Sequence, residues 1–231
     1  MPGATQVLGR IAYRRQGEET GRERFELIRH SQTGNRTLRA FCEMDDARLT
    51  RDVSLLLDPD FRPLDGFCRV TQHGAAKGAM LFLCENERVL SEGRTAAAGR
   101  ISQCLPTSGP AAYLGLHPLA CDALAALRRG TDRPGVFLPV EGVTNSISPN
   151  GDEGLFAVPV TIEVAYLGEE ALTVEAGTFA TRRYALRWHP DWPPADLWVT
   201  GPDALFVRMV WDKVDAQYEL VELLESCKVT P

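Results

Sequence analysis

Two clusters of side chains in this sequence are of types that move protons or hold charge. The first lies in GLHPLACDALAALRRG, residues 115–130, where His117 precedes Pro118 and Asp122 follows five residues after the histidine. Proline is favoured at the first helical position, because its missing N–H would have no intrahelical acceptor there. Pro118 therefore sets a helix start just after His117. An imidazole at that place meets the positive end of the helix dipole, which disfavours its protonated form and keeps a neutral base or hydrogen-bond donor near neutral pH. His117 is the first candidate for acid or base work, and Asp122 reaches it only if the loop before Pro118 curls back. The plain alternative stays open: His117 caps the helix, and Asp122 is solvated or bonds a loop N–H.

The second cluster is Arg182-Arg183-Tyr184. On a strand over residues 177–188, Phe179, Thr181, Arg183 and Ala185 face one way, and Ala180, Arg182, Tyr184, Leu186 and Trp188 the other. One arginine is thus expected on the concave side of the sheet. A guanidinium beside Tyr184 would suit a carboxylate, enolate or phenolate in a dry site, and pairing of that arginine with Glu163 is the structural alternative. Tyr113, Trp198 and Trp211 are candidates to line an apolar cavity, or are plain core. Trp188 and His189 open the rigid aromatic loop WHPDWPP, which could flank its mouth.

Cofactor and metal chemistry find no motif. No G-x-G-x-x-G follows a strand, and there is no P-loop, H-E-x-x-H or G-x-S-x-G elbow. The four histidines, His30, His73, His117 and His189, are far apart in the sequence, whereas a catalytic metal commonly takes three protein ligands. The site residues are therefore expected to work without a cofactor and without a metal.

The elements that must position these residues are strands. Arg24–Arg29 and Thr37–Met44 alternate apolar and polar side chains, so that Leu38, Ala40, Cys42 and Met44 share one face. That period marks strands with one face on a core and one in water. Short Gly- and Asx-rich connections between them demand antiparallel neighbours, and the meander continues through residues 49–57, 66–73, 78–85 and 88–93. After the helix, strands are expected over 155–167, 170–174, 177–188, 197–200, 205–211 and 217–224, with Pro159 at an edge or bulge. The region 131–152, rich in Gly, Pro, Asn and Ser, is expected to be an irregular loop of the kind that forms lids or binding sites. The helix, about residues 118–129, has Arg128 and Arg129 at its negative end and Gly130 to stop it. Its apolar stripe finds a natural berth on the concave face of the sheet. The whole chain, 1–231, is expected to form one β-dominated domain.

Composition bounds the partners. A net charge of −6 with dispersed basic residues argues against nucleic acid, whose binding needs clustered Lys and Arg. No stretch approaches the ~20 apolar residues of a membrane span, and the N-terminus lacks a secretory pattern, so a cytoplasmic protein without membrane insertion is expected. Six separated cysteines, Cys42, Cys68, Cys84, Cys104, Cys121 and Cys227, form no C-x-x-C pair and fit buried free thiols in a reducing compartment. A monomer or homodimer is equally compatible.

The order of parts, with AGTF at residues 176–179 and the later DLWV and YEL segments, resembles bacterial domains of unknown function with a half-barrel related to the lipoprotein-carrier fold. The cofactor-free violacein-pathway enzyme VioE shares that general fold. The resemblance implies a mainly β protein: a strongly curved antiparallel sheet, open or half-barrel, with an inserted helix over its concave face and a hydrophobic cavity. Two functions follow as expectations. One is a cofactor-independent lyase or isomerase moving a proton on a hydrophobic, aromatic or polycyclic small molecule, with His117 as base or acid and an Arg/Tyr pair holding the oxyanion. The other is a non-catalytic carrier or binding protein for an apolar small molecule or lipid.

Overall fold

The computed structural model describes residues 5–226; the first four residues and Cys227 lie outside that range. Eight strands form an uninterrupted antiparallel meander: β1 (Thr5–Arg15), β2 (Glu18–Arg29), β3 (Arg36–Met44), β4 (Leu49–Leu57), β5 (Pro63–Gln72), β6 (Ala75–Cys84), β7 (Arg88–Thr95) and β8 (Gly99–Pro106). A two-residue strand β9 (Leu114–Gly115) leads into α1 (Leu119–Asp122) and α2 (Leu124–Arg129). The chain then returns as β10 (Phe137–Thr144), β11 (Val158–Val174), β12 (Gly177–Arg187), β13 (Ala195–Thr200), β14 (Leu205–Trp211) and β15 (Ala216–Ser226). The first and last strands pair, so all 15 strands belong to one sheet in the order β8 to β1, then β15 to β9. Every pairing is antiparallel except that of β9 with β10.

The sheet is curved and open, as the alternation demands. Leu38, Ala40 and Cys42 of β3 and Leu49, Val53, Leu55 and Leu57 of β4 are all buried on the inner side. The outer side carries cross-strand ion pairs such as Arg10–Glu222, Arg14–Glu219 and Arg24–Glu43. The segment 114–129 fills the concave space: a Cβ on Gly66 of β5 would stand 2.7 Å from the Leu114 side chain, so a larger residue there would force that side chain to shift. Leu119, Ala120, Cys121, Ala123, Leu124, Ala125 and Ala126 are buried. The helix is thus enclosed nearly all round rather than laid down by one stripe. Its small alanines allow this, since the sheet leaves no room for larger side chains there.

The helix begins at Leu119 with Pro118 as its cap, and Ala123 divides it. Its first N–H groups are satisfied from afar: the Glu23 carboxylate of β2 accepts from Leu119 N at 2.8 Å and Ala120 N at 3.0 Å. At the other end Gly130 turns the chain with φ 68°, and buried Arg129 donates to the carbonyls of Val164, Arg133 and Val136.

Three segments differ from the sequence expectation. The stretch 131–152, expected to be irregular, contains β10, whose Val140 and Val143 are buried against the core; Pro139 and Gly142 hide the pattern, but a strand near the sheet edge tolerates proline. The expected strands 155–167 and 170–174 are one strand, β11, with a bulge between Tyr166 and Gly168. Residues 99–106, not read as a strand, form β8, an edge of the sheet. Beside that edge, the Gln103 amide takes Ala157 N at 3.0 Å on its oxygen and gives its N–H to Ala157 O at 3.4 Å. One side chain thereby stands in for a ladder between β8 and the segment preceding β11. Among the described residues no helix is long and apolar enough to cross a membrane.

Candidate functional site

A cavity of about 450 Å³ opens beside α1. One wall is aromatic. Tyr13 of β1 packs edge-on against Tyr218 of β15, ring centroids 5.1 Å apart, and Trp211 of β14 meets Trp188 at 5.0 Å and Trp192 at 5.8 Å. Trp211 Nε1 donates to Pro193 O at 3.0 Å, which ties the WHPDWPP loop to the sheet. Met44 and Met209 complete this wall with adaptable thioethers.

The polar part of the lining comes from Arg51, Tyr113, His117, Asp122, Thr144, Ser146 and Ser148. His117 sits between β9 and α1 with φ 72°, a left-handed conformation that non-glycine residues adopt only where the surroundings impose it. Its Nε2 donates to Ser146 O at 3.1 Å, which fixes the ring as the Nε2–H tautomer. Burial, seconded by the nearby Arg51 charge, lowers its pKa from 6.5 to about 3. The imidazole is therefore neutral across the physiological range.

Asp122 is held differently. Tyr113 donates its O–H to Asp122 Oδ1 at 2.6 Å. Burial raises the carboxyl from 3.8 to about 7, the Tyr113 bond opposing that rise. The accessible surface Asp122 retains accords with its place on the cavity wall. Below it Glu23 joins Tyr13 OH, at 2.8 Å, to the two helix N–H groups; burial raises this carboxyl as well, while the helix N–H groups pull it down. His117 and Asp122 do not contact each other, since each has its own partner.

Of the residues singled out in the sequence, the cavity brings together His117, Asp122, Tyr113, Trp188, His189 and Trp211. The others lie elsewhere. Arg183 pairs with Asp196 at 2.8 Å and stacks over Trp198, whose Nε1 donates to Glu170 at 2.6 Å. These groups form a ladder on the outer face, because Arg183 and Trp198 are register partners. Arg182 donates to Gly201 O at 2.6 Å in an exposed turn. Glu163 pairs with Arg187 at 2.9 Å rather than with either of those arginines. Tyr184 is fully buried beside Tyr166, ring centroids 5.4 Å apart, with its hydroxyl unpartnered. The expected inward arginine beside Tyr184 is thus absent from the cavity.

Arg51 lines the cavity instead, while Glu23, fully buried and outside the lining, holds the helix N–H groups. Both were legible as charged residues in phase with apolar ones: Arg51 with Leu49, Val53 and Leu55, and Glu23 with Phe25 and Leu27. Among the described residues no group of three or more His, Cys, Asp or Glu side chains is arranged to hold a metal ion.

No protein-family model matches the chain, and comparison with curated proteins finds no match. Among solved structures the chain is similar to a β-barrel-like protein of the domain of unknown function DUF1849 from Brucella abortus. The two are 11% identical and superpose with a TM-score of 0.57, over 98% of this chain and 99% of that one. A DUF1089 family protein from Pseudomonas aeruginosa is also 11% identical, with a TM-score of 0.40 over 85% and 87% of the two chains. The first likeness is one of fold. The curved open sheet of this chain is similar in fold to that β-barrel-like protein.

Proposed function

We propose that the cavity binds a hydrophobic small molecule of aromatic or polycyclic type and moves a proton on it without a cofactor, as a lyase or isomerase. Asp122 carries this proposal: its carboxyl, raised to about 7, lines a cavity walled by tryptophans. A general acid or base works best with a pKa near the operating pH. As a carboxylate, Asp122 takes a proton from a substrate carbon next to a carbonyl, and the C–H electron pair moves into that carbonyl to form an enolate or phenolate. The carboxylic acid so formed returns the proton to another carbon, completing an isomerisation. In the lyase variant the enolate electrons expel a group from the neighbouring carbon, and the proton leaves with it. Tyr113 orients the carboxylate through its O–H. His117, neutral and committed to Ser146, shapes the wall and holds the loop over it. Free, buried thiols at Cys42, Cys68 and Cys121 support a reducing, cytoplasmic setting.

A carrier uses the same cavity without turnover, and the Asp122 carboxyl, already satisfied by Tyr113, favours that second reading. A thermal-shift screen of aromatic, polycyclic and fatty-acid-like compounds separates the two when each hit is incubated with protein and recovered. Conversion by the wild type and not by Asp122→Asn is the expected result. Recovery of every stabilising ligand unchanged refutes the enzyme and leaves the carrier.

A further inference from the structure

Arg51 is 2% exposed, yet no carboxylate lies within ion-pair distance of it among the described residues. Arginine is almost never fully buried without a partner, because an uncompensated charge in a low-dielectric interior is strongly unfavourable. The hydrogen bonds of its guanidinium all run from Nη2 to two loop carbonyls, Asn150 O and Gly151 O, the latter at 3.1 Å. Its Nε is buried and has no partner. The carboxylates around it are engaged elsewhere: Asp152 takes the Ser148 hydroxyl at 2.7 Å and the Gln72 amide at 3.3 Å, Glu23 caps the helix, and Asp122 holds Tyr113. Arg51 itself lines the cavity and, among the described residues, is the one Lys or Arg side chain that does so.

We infer that the cavity takes an aromatic monoanion, its carboxylate or equivalent anionic oxygens held by Arg51 and its ring system lying against Trp188, Trp211 and Tyr218. This assignment rests on the cavity being a small-molecule site, as proposed above, and adds the charge of its ligand. A monoanion fits better than a phosphate dianion. Arg51 is the single cation of the lining, the neighbouring imidazole is neutral, and Asp122 would repel a second negative charge. The loop carbonyls of Asn150 and Gly151 hold the Nη2 edge in place and leave the rest of the guanidinium to the ligand, whose charge then compensates Arg51.

The test uses two fluorescent probes that differ by a single group: N-phenyl-1-naphthylamine, which is neutral, and its 8-sulfonate. Each is titrated into the wild type and into Arg51→Met, with circular dichroism confirming that the variant is folded. The substitution is expected to weaken the sulfonate about tenfold or more while changing the neutral probe less than about twofold, the size of effect that loss of a charge-assisted hydrogen bond gives. A sulfonate unaffected by the substitution, or both probes weakened equally, overturns the assignment and leaves the cavity as a neutral-ligand site. If the wild type binds neither probe, the small-molecule reading fails and the assignment with it. Should Arg51→Met not fold, competition on the wild type decides. Displacement of the neutral probe by 2-naphthoate but not by 2-naphthamide supports Arg51 as the anchor, and equal displacement refutes it.

Discussion

Replacing Asp122 by asparagine isolates the most perturbed carboxyl of the cavity. The asparagine amide retains an oxygen to accept from Tyr113 but carries no proton to lose. In the wild type the folded state holds the Asp122 proton to about pH 7, whereas the unfolded chain releases it near 3.8. Below both values the two states are equally protonated. Between them the folded state binds more protons, so stability falls as pH rises, and above about 7 the loss is complete. Each tenfold difference in proton affinity is about 1.4 kcal/mol, so the span from 3.8 to about 7 amounts to about 4 kcal/mol. His117 works with the opposite sign. Its pKa is lowered from 6.5 to about 3, so stability is lost as pH falls through that window. The two contributions oppose one another between pH 4 and 6.5. Asp122→Asn removes one and retains the other, along with the electrostatic neighbours of Asp122, cavity-lining Arg51 and buried Glu23. Urea unfolding followed by tryptophan fluorescence from pH 4 to 8 should show the variant gaining on the wild type by up to about 4 kcal/mol, with nearly all of the gain below pH 7.5. A difference that does not change with pH would show that Asp122 titrates as a solvated carboxyl, and would remove the base from the proposed mechanism.

Other residues make independent claims. Glu23→Gln replaces an acceptor that serves Tyr13 and two helix N–H groups with a side chain whose amide nitrogen cannot accept; a loss of about 2–3 kcal/mol is expected in chemical denaturation, and an unchanged midpoint would contradict the capping role. Gly151 has φ 63°, and a Cβ there would collide with the His117 ring and lie 2.7 Å from Arg51. Gly151→Ala should therefore lose about 1–3 kcal/mol together with probe binding, and a melting temperature equal to that of the wild type would refute the contact. Among the described cysteines, exposed Cys104 should react first with a thiol reagent. Cys42, Cys68 and Cys121 should react only on unfolding, since burial raises Cys68 to about 11 and the other two well above 9.0. Mass spectrometry of labelled peptides reads this directly, and early labelling of Cys42 or Cys121 would show that the interior opens.

The fold was legible wherever a local period carried it, because one buried and one solvated face impose alternation on each strand. Leu38, Ala40 and Cys42 on β3 and the helix signals at Pro118 and Gly130 belong to that class. Long-range closure has no local signature: nothing in residues 5–15 announces that they pair with residues 216–226. The site was half legible for the same reason. His117, Asp122 and Trp188 were found from helix-end chemistry and loop composition, which are local. Arg182 and Arg183 were drawn toward the cavity by their types, but cross-strand partners decide such cases, and Asp196 and the Gly201 carbonyl hold them away from it. A sharper local rule was available. On β2 the outward positions carry Arg22, Arg24 and Glu26 and on β4 they include Asp52, so a charged residue on the apolar parity is the exception that the sheet must accommodate. Glu23 is accommodated by a helix N-terminus. Arg51, on the same parity as Leu49 and Val53, is accommodated by two carbonyls through one nitrogen and by nothing at its Nε, and that imbalance is the ground on which the anion site is proposed.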